Sequence, residues 1–128
     1  MRSEVKVRVR YGETDRMGVV YHGNYFQYFE IGRTELMRAR GATYRSLEDR
    51  GYALAVVEVG ATYRAGAKYD DELTVVTVAR PAGRVRVRFD YEIVRDGRTI
   101  CEGFTVLACL KDGRIAELPD EVRAMLDA

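Results

Sequence analysis

Residues 11–25, Tyr-Gly-Glu-Thr-Asp-Arg-Met-Gly-Val-Val-Tyr-His-Gly-Asn-Tyr, concentrate the side chains best able to do chemistry. They set the carboxylate of Asp15 on a glycine-punctuated loop just ahead of an apolar, aromatic segment that reads as a helix. A helix start presents unpaired backbone N–H groups and a partial positive charge. A carboxylate and such a donor can attack and polarise a carbonyl from opposite sides, the minimum equipment for hydrolysing an activated ester. Spacing alone favours a plainer role for Asp15, as a turn or helix-capping residue. His22 is the one histidine and Ser3 and Ser46 are the only serines, which excludes multi-histidine metal sites and leaves no clear serine triad. No glycine-rich phosphate loop follows a strand and no Cys/His metal spacing occurs. Neither a metal nor a cofactor is therefore expected.

The elements that must position this loop follow from hydrophobic periodicity. Val5, Val7, Val9 and Tyr11 alternate with Lys6, Arg8 and Arg10, as in a half-buried strand. A helix is expected over residues 23–40. Its first half is apolar around most of its circumference, which predicts burial on several sides. Gly32 costs about 1 kcal/mol of helix propensity, so something should pack closely against it. Glu30 and Arg33, three apart, are placed to pair on the helix surface. Gly41 is a C-terminal stop, and a short helix over residues 43–50 follows. Strands are expected over residues 52–59, continuing to 65 past a bend at Gly60, then over 72–79, 84–94 and 99–110. Pro81-Ala82-Gly83, Asp96-Gly97 and Asp112-Gly113 mark the turns, and residues 118–121 start a terminal helix. Tight turns between consecutive strands imply an antiparallel sheet. A single layer of about five strands leaves edges unpaired, which predicts edge-to-edge pairing of two copies.

The chain has 128 residues, enough for one domain over residues 1–128 with a hydrophobic core. A net charge of +1 is too small for a sequence-independent nucleic-acid binder. No apolar run approaches the roughly 20 residues that span a bilayer, so no membrane partner is expected. Cys101 and Cys109 lie roughly 26 Å apart along one strand and cannot pair within it. Free thiols and the lack of a secretory leader point to the cytoplasm.

Residues 11–36 resemble the hotdog-fold acyl-CoA thioesterases, in particular the 4-hydroxybenzoyl-CoA thioesterase and YbgC-like branch. Tyr11, Asp15, Gly18, Val20, Tyr21, His22, Asn24, Tyr25, Glu30, Arg33 and Glu35 carry the match. The family usually has aspartate two positions before its catalytic aspartate, where this chain has Glu13. The resemblance implies an α+β hotdog fold, a long central helix wrapped by a five-stranded antiparallel sheet. It also implies assembly as a homodimer, then a homotetramer, with active sites at subunit interfaces, and it shifts Asp15 to catalysis as general base or nucleophile. The backbone N–H of His22 becomes the oxyanion donor, and an acyl-CoA the substrate. Tyr21, Asn24 and Tyr25 are then candidates for substrate contact. Arg64, Lys68, Arg86 and Arg88, with Arg84, are candidates for gripping the coenzyme A phosphates, although arginines on one strand face also suit a solvated surface. Two rival readings remain: a hotdog acyl-thioester dehydratase using His22 and Glu30, and a non-catalytic acyl-CoA-binding sensor.

Overall fold

The computed structural model describes residues 1–127. Strand β1 (Arg2–Arg8) leads into a single 3-10 turn (Tyr11–Glu13) and then the long helix α1 (Asn24–Ala39). After α2 (Tyr44–Asp49) come β2 (Tyr52–Tyr63), β3 (Glu72–Pro81), β4 (Arg86–Arg95), β5 (Arg98–Lys111), the two-residue β6 (Arg114–Ile115) and α3 (Asp120–Asp127). All pairings are antiparallel, in the order β1-β3-β4-β5-β2, with β6 added beside β5. The five long strands are those expected from the sequence pattern; β6 is too short to leave a periodic signal.

Alternation decides which face carries the core. On β4, Val87, Phe89, Tyr91 and Ile93 are buried while Arg86 and Glu92 stay exposed. Leu73, Val75, Thr77 and Ala79 of β3 join them. Helix α1 lies on this face through Tyr25, Tyr28, Phe29, Gly32, Arg33, Leu36 and Met37, the i, i+3, i+4, i+7 stripe of an amphipathic helix. The expectation of burial on several sides is corrected here: Phe26 and Ile31 are exposed on the face away from the sheet. The close approach at Gly32 is present, because a Cβ there would stand 2.3 Å from Thr77 Oγ1 and 2.8 Å from Val75 Cγ1. Phe29 stacks on Tyr91 with ring centroids 4.4 Å apart.

Other boundaries move for local reasons. The first strand ends at Arg8 rather than Tyr11, because Tyr11–Glu13 coils into the 3-10 turn. Strand β2 runs straight through Gly60, and its irregularity is a bulge between Val56 and Glu58. Pro81 is the last residue of β3, not part of the turn. Asp96-Gly97 and Asp112-Gly113 both have positive φ at each residue, as two-residue hairpin turns require. Cys101 and Cys109 are buried free thiols. No helix among the described residues is long and apolar enough to cross a membrane.

Candidate active site

The loop between the 3-10 turn and α1 is folded on itself. Thr14 and Val20 form an isolated antiparallel bridge, Asp15 N donates to Val19 O at 2.9 Å, and Gly18 N donates to Asp15 O at 3.0 Å. Gly18 makes that reversal with φ +82°. Asp15 Oδ1 accepts from Met17 N at 2.8 Å, so the aspartate does build an Asx-type turn. That role occupies one carboxylate oxygen. Among the described residues Oδ2 has no hydrogen-bond partner, and the side chain is half-buried.

The start of α1 has no side-chain cap on Gly23. The N–H groups of Asn24, Tyr25 and Phe26 turn back onto the carbonyls of Tyr21, His22 and Gly23. The N–H groups of His22 and Gly23 find no acceptor among the described residues. Tyr63, at the end of β2, donates its hydroxyl to His22 O at 2.9 Å. Because a peptide group is planar, holding that oxygen also fixes the direction of the Gly23 N–H. The loop is tied to the connection between β2 and β3 by Val20 N donating to Ala67 O at 2.8 Å.

Beside the helix start lies an open cleft of about 270 Å³ lined by Val19, Val20, His22, Tyr25, Tyr63, Arg64, Ala65 and Gly66. Asp15 is bonded to one wall, through Val19, rather than standing in the lining itself. Tyr25 is buried, with its ring edge-on to Tyr28 and Tyr63. Burial pushes its phenol up, helped by Cys101 and opposed by a bond with the Ala67 backbone. Cys101 beneath is pushed up to about 11 by burial and by Glu102, which makes it a poor nucleophile.

Several sequence candidates meet here. Tyr21 is exposed and packs its ring against that of His22 at 4.3 Å. Asn24 turns its side chain inward, donating Nδ2 to Glu13 O at 2.8 Å, so it secures the loop. Arg64 reaches the cleft and pairs with Glu102 at 2.9 Å. Lys68, exposed, lies just past Gly66. Arg86 and Arg88 are not brought to the cleft by their own chain. They lie toward the opposite end of β4 from Arg95, whose guanidinium bonds Gly66 O, and from Arg88 to Arg95 the strand covers roughly 23 Å. Arg88 pairs instead with Asp90 at 3.0 Å and covers the Phe104 ring at 4.2 Å, while Arg84 pairs with Glu117 at 3.6 Å.

One further expectation changes. Glu30 and Arg33 form no ion pair; Arg33 turns inward and donates Nε to Tyr44 Oη at 3.0 Å, while Glu30 stays exposed. Burial opposes the Arg33 charge, but Tyr44 and Tyr91 more than offset it and raise its pKa. His22 and Glu30, the acid–base pair a dehydratase would need, therefore do not converge within one chain: one stands on the loop, the other on the open face of α1. Two residues that matter were not singled out as functional. Tyr63 has no local signal, being 41 positions from its partner, and Glu13 is a buried hub rather than a spare acid. No group of three or more His, Cys, Asp or Glu that could hold a metal occurs among the described residues.

Comparisons with known proteins agree with this fold. Residues 9–126 match the family model of the thioesterase-like superfamily. The acyl-CoA thioesterase YbgC of Haemophilus influenzae is 33% identical over 121 residues, covering 92% of this chain and 89% of that protein. The crystal structure of TT1821 from Thermus thermophilus superposes with a TM-score of 0.93 at 35% identity, covering 99% and 96% of the two chains. A DHNA-CoA thioesterase from Staphylococcus aureus superposes with a TM-score of 0.87 at 32% identity, covering 91% and 80%.

Proposed function

Because the chain belongs to the thioesterase-like superfamily, we propose that it hydrolyses acyl-CoA thioesters, releasing a carboxylic acid and coenzyme A. One observation carries the mechanism: among the described residues Asp15, bonded through its backbone to Val19 in the cleft wall, keeps one carboxylate oxygen without a partner, and the N–H groups of His22, which lines the cleft, and of the adjoining Gly23 find no acceptor. Asp15 takes the proton of an attacking water, or attacks the carbonyl itself to form an anhydride that water then opens. The thioester oxygen gathers negative charge as the tetrahedral intermediate forms, and the N–H groups at the start of α1 receive it. A donor of this kind supplies roughly 3–4 kcal/mol. The thiolate then leaves with the electron pair of the C–S bond, needing little help from an acid. The side-chain role of His22 is confined to lining the cleft with Tyr25.

Arg64, in the cleft lining, and Lys68, two residues past Gly66, are assigned to the phosphate end of the substrate. Arg86 and Arg88 would reach it only from a second copy. A homodimer along β2, and from it a homotetramer, is supported by that strand's position at the edge of the sheet and by its exposed Val56, Val57 and Val59. A chain that stays monomeric at micromolar concentration in gel filtration would overturn the assembly.

The decisive experiment is thiol release from a panel of acyl-CoAs of graded length and shape, with wild type and Asp15→Asn. Turnover should fall about 10²–10⁴-fold in the variant, the usual worth of a general base. Binding without thiol release by the wild type would instead identify a sensor, and unchanged turnover in Asp15→Asn would remove the aspartate from the mechanism.

A further inference from the structure

Glu13 is the most heavily bonded side chain around the site, yet it touches no part of the cleft. It ends the 3-10 turn two residues before Asp15 and is only 9% exposed. Its Oε1 accepts from Arg10 N and from Tyr28 Oη, each at 2.9 Å, and its Oε2 from Arg10 Nε at 3.2 Å. Its backbone carbonyl accepts from Tyr21 N at 2.9 Å and from Asn24 Nδ2 at 2.8 Å. One residue therefore ties the chain leaving β1, the first and second turns of α1, and the segment that enters the donor peptides. The two halves of the chemistry hang from it on either side: Asp15 follows by two positions, and Tyr21 immediately precedes His22.

Tyr28 sharpens the point. Its ring is core, 1% exposed and edge-on to Tyr25, a role phenylalanine would fill as well. Only its hydroxyl needs a polar partner, and that partner is Glu13. A buried carboxylate is costly to keep unless several donors satisfy it, and here they come from Arg10, just ahead of the 3-10 turn, and from Tyr28 in α1, so they flank the loop that carries the reactive groups.

We propose that Glu13, locked by Tyr28, is a positioning residue that sets the Asp15 carboxylate against the N–H groups at the start of α1. This rests on the hydrolase reading above. Reacting groups that drift by about 1 Å lose up to a hundredfold in rate without losing their substrate. The signature is therefore a fall in kcat with KM held.

The test compares wild type, Asp15→Asn, Tyr28→Phe, Glu13→Gln and the Tyr28→Phe/Glu13→Gln double variant. Kinetics are read by thiol release from whichever acyl-CoA of the panel the wild type turns over fastest, well below each variant's melting temperature. Tyr28→Phe and Glu13→Gln should each lower kcat roughly ten- to a hundredfold, with KM within about twofold, and the double variant should be no slower than Glu13→Gln. Tyr28→Phe keeps the ring, so it decides the matter if Glu13→Gln does not fold. An active wild type, an inactive Asp15→Asn and a folded Tyr28→Phe of wild-type kcat overturn the positioning role alone. A lowered melting temperature with unchanged kcat does the same. A wild type that releases no thiol from any substrate overturns the hydrolase reading, and this inference with it.

Discussion

Replacing Gly32 by alanine pits two opposed effects of known size against each other. In an open helix the change stabilises by about 1 kcal/mol, because alanine loses less backbone freedom. Here the new Cβ would stand 2.3 Å from Thr77 Oγ1 and 2.8 Å from Val75 Cγ1. Both neighbours are fully buried, on β3, and both are β-branched, with little freedom to turn away. The helix must lift or the strand must yield, and overpacking of this kind costs about 1–3 kcal/mol. With two contacts under 3 Å the upper part of that range applies, so the net loss should be about 1–2 kcal/mol. Urea unfolding at fixed protein concentration reads it as a lower midpoint with an unchanged slope. Thr77→Ala should cost less in the Gly32→Ala background than in wild type, since it removes one of the clashing atoms, a hydroxyl that has no hydrogen-bond partner among the described residues. The coupling should be about 1 kcal/mol. A Gly32→Ala protein as stable as wild type, or more so, would refute the close contact between α1 and β3.

Tyr63→Phe removes the hydroxyl that holds the His22 carbonyl. Loss of one such bond, about 1 kcal/mol, should lower kcat roughly fivefold with little change in KM; a proportionate rise in KM would mean that the phenol contacts substrate instead. Acid should act through Glu13. Burial raises its pKa, but bonds from Arg10 N–H, Tyr28 and the Arg10 side chain outweigh burial and hold it below its ordinary 4.5. The ionised group thus contributes stability that is complete above that value and is lost as pH falls through the folded-state pKa. Unfolding of Glu13→Gln should accordingly vary less with pH than wild type below about pH 4.5, and an identical acid profile would refute the assignment.

Much of the architecture was legible because its signals are local. Alternation on β4 names the core face residue by residue, and Asp-Gly pairs mark two hairpin turns. Gly32, costly in a helix, announced a neighbour without identifying it. The overstatement about α1 arose from composition: Phe26 and Ile31 count as apolar, but they lie off the 25-28-29-32-36 stripe and stay exposed. The site was legible in its first half only. Asp15 and the uncapped helix start are adjacent in sequence, whereas Tyr63 arrives from another strand. Glu13 and Tyr28, 15 positions apart, leave no spacing that marks them as partners. For Arg33, the i, i+3 relation to Glu30 was real, but a stronger partner, Tyr44, lay in the next helix.

The strand order has a consequence for how the protein acquires its activity. Strands β3, β4 and β5 form one contiguous meander with short connections, so their pairing closes small loops and should come early in refolding. The outer strands do not share that advantage: Val5 of β1 meets Val75, and Leu54 of β2 meets Cys109, across long intervening stretches of chain. The candidate site draws on both late arrivals, which flank the sheet at opposite edges: β1 leads into Glu13 and Asp15, and β2 delivers Tyr63. Turnover is then the last property to return when the denatured chain is diluted from urea, after the sheet signal has recovered. By the same geometry it is the first to vanish when either flank frays.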